Sequence, residues 1–338
     1  MLDASDIRGL YAILPTPAKP GAQRLAALDT VDLDETARVV NALIGDGCRG
    51  LIALGTTGEC ATLSQQDYEA FVSCLVETTG KRVPTFIGTT ALGGHEIAKR
   101  MKFVRDCGAD GTLLGLPMWQ PMTVDTAVAF YRELSEMFPE IAIMVYANQR
   151  AFRFSFPDDF WQAVVRVAPT VVAAKYAKPR NLKQLLEVTG GRVNVIPNEM
   201  TIAHFYTESP ATTTCCWATA ASMGPKPMIE LVDAVEARDT AAVKKISAAL
   251  DWANEPIAPI VADPEVFALY NIQMEKVRIN AAGYCKAGPI RPPYGAMPTD
   301  FTKGSEECGR RWAMLNQKLA SGVRMQDFIA MKGDAGVG

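Results

Sequence analysis

Eight short, near-continuous apolar runs, separated by stretches of helical periodicity, constrain this chain more than any other feature. They cover residues 10–15, 50–55, 84–90, 111–117, 141–148, 171–177, 193–198 and 212–219. None alternates strictly between apolar and polar, which is how strands buried on both faces of a parallel sheet read. The intervening segments suit helices. Residues 32–44 place Leu33, Ala37, Val40 and Ile44 at spacings of three and four. Residues 64–76 open with Ser64-x-x-Asp67 before an apolar-periodic run, a helix start with an acid in its first turn. Residues 124–138 and 157–167 show the same period, and Pro157 fits a first helical turn, where its missing N–H is harmless.

A faint repeat supports the scheme: Asp46-Gly47-Cys48-Arg49-Gly50 and Cys107-Gly108-Ala109-Asp110-Gly111 each read as a helix end, a Gly turn and a buried strand. Eight βα units in about 220 residues is the arithmetic of a (β/α)8 barrel. A doubly wound open sheet is the alternative, but no G-x-G-x-x-G turn follows the first run. From Pro225 onward the pattern is helical and amphipathic, most clearly at 228–237 and 241–253. The predicted architecture is α/β: a TIM barrel over residues 1–224, and a C-terminal helical region over 225–338 packed on it, with a frayed Gly-rich end.

Composition narrows the function classes. The 34 Lys+Arg against 37 Asp+Glu give a net charge of -3 with no basic patch, so nucleic acid is not an expected partner. No apolar run approaches the roughly 18 residues of a membrane span. Residues 1–8 carry Asp3 and Asp6 ahead of any apolar stretch, unlike a secretory leader. The eight Cys lie at irregular intervals without a C-x-x-C, and read as reduced thiols of a cytoplasmic protein. Cys215 and Cys216 are strand neighbours and should point to opposite faces.

Reactive groups of such a barrel sit at the C-terminal ends of its strands. There the chain offers Gly55-Thr56-Thr57-Gly58-Glu59, Gly88-Thr89-Thr90, Tyr146-Ala147-Asn148, and Lys175 between Ala174 and Tyr176. Lys175 is the unusual residue. A Lys in an apolar strand loses hydration, which lowers its pKa. Its head could instead reach solvent or an acid, but Val171–Ala174 supply no acid and leave room beside the amine. A desolvated amine is what Schiff-base formation with a carbonyl requires. The Tyr146 phenol could relay protons, or be a core-edge tyrosine with a wet hydroxyl. Thr56 and Thr57 could form a carboxylate-binding nest, or be turn chemistry alone. His95 and His204 lie in separate segments and read as surface or capping residues, so no His-rich metal site is expected. No G-x-S-x-G or P-loop is present.

Gly55-Thr56-Thr57-Gly58-Glu59, Tyr146-x-Asn148 and Lys175 together resemble the dihydrodipicolinate synthase and N-acetylneuraminate lyase superfamily, whose members are pyruvate-handling barrels. The resemblance runs from about Ile7 to about Ala320. A narrower likeness is to the hydratase-aldolases of polycyclic aromatic degradation. It is carried by Leu14-Pro15-Thr16-Pro17, Gly58-Glu59-Cys60-Ala61-Thr62-Leu63, Gly88-Thr89-Thr90-Ala91-Leu92, Pro117-Met118-Trp119 and Ala174-Lys175-Tyr176. It continues in Tyr270-Asn271-Ile272, Glu275-Lys276, Lys286-Ala287-Gly288-Pro289 and Arg291-Pro292-Pro293-Tyr294. The Tyr146 strand continues as Asn148-Gln149-Arg150-Ala151-Phe152 rather than the Asn-x-Pro-x-Arg usual in dihydrodipicolinate synthases, which leaves the role of Arg150 open.

This resemblance implies that Lys175 forms the Schiff base, Tyr146 relays protons, and Thr56 and Thr57 hold the pyruvoyl carboxylate. Asn148, Trp119 and Asn271 would line the aryl and hydration side, although Trp119 could be a packing residue. The implied reaction converts a 4-aryl-2-oxobut-3-enoate and water to an aromatic aldehyde and pyruvate, without metal or organic cofactor, in a homo-oligomer, commonly a tetramer. Lys178 and Arg180, just past the Lys175 strand, could pair with an aryl carboxylate, which favours the carboxybenzal substrate over the hydroxybenzylidene one. They could instead belong to a solvated loop. A sugar-acid pyruvate lyase and a non-catalytic keto-acid-binding barrel are the competing readings.

Overall fold

The computed structural model describes residues 1–325. The predicted frayed Gly-rich end lies outside them. Eight parallel strands follow one another around a nearly closed barrel: β1 (Gly9–Ile13), β2 (Gly50–Ala53), β3 (Thr85–Gly88), β4 (Gly111–Leu114), β5 (Ala142–Tyr146), β6 (Val171–Lys175), β7 (Asn194–Ile196) and β8 (Cys215–Ala218). β1 pairs with β2 and with β8. The β7–β8 seam is closed above the strands, where the Trp217 N–H donates to Pro197 O at 3.0 Å and its indole N–H to Ile196 O at 3.1 Å. The (β/α)8 barrel predicted from the eight runs is therefore present. Each strand is shorter than its apolar run, because the Gly, Pro and Thr residues at the run's end leave the ladder to form the loops of the catalytic face.

The helices start where the sequence supplies caps. α1 (Leu33–Gly45) is capped by Asp32, α2 (Gln65–Thr79) by Ser64, which accepts from Asp67 N, and α4 (Val124–Met137) by Thr123. α3 (Gly94–Cys107) ends on Gly108 in the left-handed region, the Gly turn of the repeat. The short α5 (Gln149–Phe152) is capped by Asn148. α6 is Asp158–Val167; Pro157 precedes it at ψ 168, so it stands at the cap and not inside the first turn. α7 (Leu182–Thr189) and α8 (Ile202–Glu208) complete the segment before β8.

The barrel interior is filled by Tyr11, Phe86, Leu113, Met144 and Ile196 with Cys215, while Cys216 belongs to the shell between barrel and helices. Adjacent Cys on one strand thus point apart, as strand geometry requires. Two aromatics fit because glycine lies opposite. A Cβ on Gly50 would stand 2.2 Å from the Tyr11 ring, and one on Gly111 2.5 Å from that of Phe86.

Beyond β8 come α9 (Lys226–Glu236), α10 (Thr240–Asn254), α11 (Ala258–Val261), α12 (Pro264–Ala282) and α13 (Thr299–Ala320). Met228, Leu231 and Val232 of α9 join the barrel shell. α12 differs from the others in burying charge: Glu275, Lys276 and Arg278 are all buried. It is tied to three loops of the catalytic face. Arg150 of α5 donates to Pro264 O at 3.0 Å and stacks on Phe267, with its guanidinium 4.6 Å from the ring centroid. Lys276 reaches Glu59 after β2, and Arg278 reaches Glu199 after β7. Arg150, whose role the sequence left open, holds this helix to the rim. Among the described residues no helix is long and apolar enough to cross a membrane.

Candidate active site

Lys175 and Tyr146 end neighbouring strands and are register partners. Ladder pairing therefore puts both side chains at one level of the barrel mouth. Lys175 is buried, with Nζ 3.3 Å from the Trp217 ring centroid and 4.6 Å from that of Tyr146. The amine head sits between two aromatic faces. The Tyr146 hydroxyl lies 2.9 Å from Thr56 Oγ1 and accepts from Asn148 Nδ2 at 3.3 Å. Phe152 packs edge-on against the Tyr146 ring. Thr57 is buried next to Thr56 in the same turn. Asn148 serves twice, since its Oδ1 also accepts from Ala151 N to start α5.

These contacts set the charges. Burial pushes the Lys175 amine down, and Tyr146, Glu199 and Glu275 oppose that only in part, so it stays below the ordinary lysine range. Burial pushes the Tyr146 phenol up, but the Lys175 charge and the hydrogen bonds from Thr56 and Asn148 outweigh it, leaving the phenol below the ordinary tyrosine range. The pair combines an amine more easily freed of its proton with a phenol more easily ionised. That is the equipment for nucleophilic attack with proton transfer.

The other predicted residues are distributed around this pair. Asn271 is half-buried on α12. Phe267, Asn271 and Glu275 share one helical face by their spacing of four, and Phe267 on that face carries the Arg150 guanidinium. Trp119, in the loop after β4, is 80% exposed, so it is no packing residue of this chain. Its carbonyl and that of Met118 accept from Arg153 Nη2, which fixes the loop. Lys178 and Arg180 are exposed in the loop between β6 and α7, with no ion-pair partner among the described residues. His95 and His204 are exposed. Among the described residues no three His, Cys, Asp or Glu side chains assemble as a metal set.

Four residues of the mouth were not anticipated: Trp217, Glu199, Glu275 and Arg278. The strand around Lys175 is acid-free in sequence but not in space, since Glu199 and Glu275 are within electrostatic reach. Trp217 was legible in principle. It lies two positions after the inward Cys215, so strand alternation already aims it into the barrel. Glu199, just past the seventh run, is likewise an acid at a strand's C-terminal end. The pairing of Glu275 and Arg278 with it depends on where α12 docks, which no local pattern encodes.

Glu59 of the Gly-Thr-Thr-Gly-Glu turn faces away from this chemistry. It adopts φ 55 and is buried; its carboxylate accepts from Lys276 Nζ at 2.8 Å, from the Arg291 backbone N at 2.8 Å, and from the Arg291 guanidinium. The motif's acid thus anchors the loop that presents Thr56 and Thr57.

The chain matches the dihydrodipicolinate synthetase family over residues 25–199. It is 41% identical to the trans-O-hydroxybenzylidenepyruvate hydratase-aldolase of Pseudomonas putida, covering 94% of this chain and 97% of that protein. It is 32% identical to the trans-2'-carboxybenzalpyruvate hydratase-aldolase of Nocardioides sp. (strain KP7), over 94% and 96% of the two. A solved structure described as PhdJ bound to substrate intermediate superposes with a TM-score of 0.90 at 33% identity, covering 94% of this chain and 98% of that one. With a barrel whose Lys, Tyr and Thr side chains converge at one mouth, and relatives matched along nearly their whole length, this chain belongs to the dihydrodipicolinate synthetase family, as a lyase of its hydratase-aldolase branch.

Proposed function

We propose that this enzyme converts a 4-aryl-2-oxobut-3-enoate and water to an aromatic aldehyde and pyruvate through a Schiff base on Lys175. The observation that carries this reading is the buried Lys175 amine between the Tyr146 and Trp217 rings, in register with the tyrosine whose hydroxyl pairs with Thr56.

The Lys175 amine attacks the C2 ketone. Proton transfers through Tyr146 turn the carbinolamine hydroxyl into leaving water, and the iminium forms. Conjugation extends its electron demand to C4. Water adds there and loses a proton, and C3 gains one, giving a β-hydroxy iminium. Deprotonation of the benzylic hydroxyl then breaks the C3–C4 bond. The electron pair moves to nitrogen, the aldehyde leaves, and a pyruvate enamine remains. Protonation at C3 and hydrolysis free pyruvate and the amine. One lysine serves both steps and supplies the electron sink itself. Thr56 and Thr57 hold the substrate carboxylate, while Asn148 and Asn271 face the hydration side. The exposed Trp119 offers a flat face for the aryl ring. Such an enzyme works as a homo-oligomer, a tetramer in our reading.

Incubation with pyruvate and borohydride, followed by peptide mapping, should place a reduced pyruvyl adduct on Lys175. An adduct confined to another lysine, such as Lys178, or none at all, overturns the assignment.

For the ring substituent, the higher identity to the hydroxybenzylidenepyruvate enzyme favours a 2-hydroxyaryl substrate. Lys178 and Arg180, without an ion-pair partner among the described residues, favour a carboxylated one, because a rim guanidinium can grip a carboxylate through two parallel bonds. We give the identity more weight, since both cations are exposed and a wet contact discriminates weakly. Loss of enone absorbance should therefore give a higher kcat/KM for the hydroxyaryl substrate. A preference for the carboxyaryl substrate that disappears in Lys178→Ala or Arg180→Ala reverses this choice.

A further inference from the structure

Next to Lys175 the barrel mouth holds a buried group of charges that the mechanism above does not use. Glu199 follows β7 and is 9% exposed. Glu275 and Arg278 come from α12. Arg278 grips Glu275 with two bonds, Nε to Oε2 at 2.7 Å and Nη2 to Oε1 at 2.9 Å. That fork geometry commits the guanidinium to Glu275. Glu199 receives what remains: Arg278 Nη2 and Ala220 N, each at 3.4 Å and both on Oε1. Glu199 Oε2 is buried with no hydrogen-bond partner among the described residues.

Two carboxylates thus face one guanidinium, and the surplus negative charge falls on Glu199. A buried carboxylate without its own cation is costly, so its company is informative. The titratable groups around it come from five elements. They are Lys175 of β6, with Tyr146 of β5 beyond it, Cys216 of β8, Glu275 and Arg278 of α12, and Cys308 of α13. Burial pushes both thiols up, so they stay neutral. Arg278 is taken. Lys175 is the register partner of Ile196, which ends β7 three residues before Glu199, and it is the cation left within electrostatic reach of that carboxylate.

The chemistry at Lys175 needs such a partner at one stage. The free amine must be neutral to attack. Once the imine exists, it must be protonated, because only the iminium withdraws electrons from C3 and C4. An imine nitrogen is a weaker base than the amine it came from, and burial weakens it further. We propose that Glu199 is the counter-charge of the protonated Schiff base on Lys175, a positioning residue that acts through that nitrogen and not on the substrate. Condensation consumes one proton overall. The carbinolamine oxygen leaves as water with protons delivered through Tyr146, and the nitrogen keeps one hydrogen and the positive charge. Glu199 gains and loses no bond; its charge keeps that hydrogen in place.

This inference rests on Schiff-base formation at Lys175, and the experiment separates the two. Pyruvate is trapped with a hydride donor across a pH series in the wild type, Glu199→Gln and Glu199→Asp, because hydride reduces the protonated imine. Glu199→Gln keeps the shape and the acceptor Oε1 but removes the charge. Its trapping should fail at a pH about one unit or more below that of the wild type, a roughly tenfold change in imine basicity. Its kcat should fall by at least the same factor. Glu199→Asp, which keeps the charge, should show a profile between the two and cover the case in which the Gln variant does not fold. A wild-type profile in Glu199→Gln, or a Gln-like profile in Glu199→Asp, overturns the counter-charge. Absence of any Lys175 adduct in the wild type overturns the Schiff-base reading itself.

Discussion

Helix α12 carries two buried charge clusters a residue apart, and they are built on opposite plans. On one side Lys276 and Arg291 share the single carboxylate of Glu59, and every donor has further work. Lys276 also donates to Pro289 O, and Arg291 to Thr16 O, Pro17 O, Thr30 O and Thr30 Oγ1. On the other side Glu199 and Glu275 share the single guanidinium of Arg278, and one carboxylate oxygen is left without a donor. The first cluster is over-supplied with cations and fully bonded; the second is over-supplied with anions and is not. The difference follows from what each faces. The Glu59 cluster joins loop to appendage and touches only protein. The Glu199 cluster lies within electrostatic reach of Lys175, whose charge changes during the reaction we propose.

The contrast is sharpest in stability. Glu59→Gln leaves two buried cations without an anion and removes the clamp on a residue held at φ 55. Breaking a buried pair in this way costs about 3–5 kcal/mol. Urea unfolding should show a loss of that order. Glu199→Gln removes a surplus charge and leaves the Arg278–Glu275 fork intact, so its unfolding midpoint should stay at or above that of the wild type. Similar losses in the two variants would mean that both clusters are structural, and the division between lock and counter-charge would fall.

The same two clusters show what the sequence could and could not convey. The barrel was legible because parallel strands buried on both faces need unbroken apolar runs, and their number and spacing leave few architectures. Lys175, Tyr146 and Thr56 were legible because a strand end is a known position in a barrel. A polar residue there departs from the local pattern. The buried charges of α12 were not. Glu275-Lys276 stood in the sequence only as part of a motif and Arg278 carried no signal; Lys276 and Arg278 meet Glu59 and Glu199, 217 and 79 residues away, while Glu275 is gripped by Arg278 within the helix. Glu59 was noticed as part of a motif, but its partners Lys276 and Arg291 lie 217 and 232 residues further on. The motif Arg291-Pro292-Pro293-Tyr294 belonged to the resemblance, and its physical reason is visible only in the fold: Arg291 ties the appendage to the turn that presents Thr56.

The smallest expected effect tests the claim that the Glu59 cluster carries excess cation. Burial pushes Lys276 down to about 8; Glu59 pulls it up, and the neighbouring Arg291 adds to the depression. In the unfolded chain the same lysine titrates near its ordinary 10.5. Between those two values the unfolded chain binds a proton that the native protein does not, so Lys276 adds stability as the pH rises through the window. That contribution is lost as the pH falls through about 8. Lys276→Met lacks this titration and leaves Glu59 and Arg291 as a balanced pair. Cys and Tyr groups that ionise in the same range are common to both proteins and cancel in the difference. The gap in unfolding free energy should therefore move in favour of the wild type, by roughly 3 kcal/mol, between the neutral and alkaline ends of the window. A gap that stays constant would mean that Lys276 is charged at no cost beside Arg291, in which case Glu59 accommodates two cations comfortably. Charge imbalance would then distinguish only the Glu199 cluster.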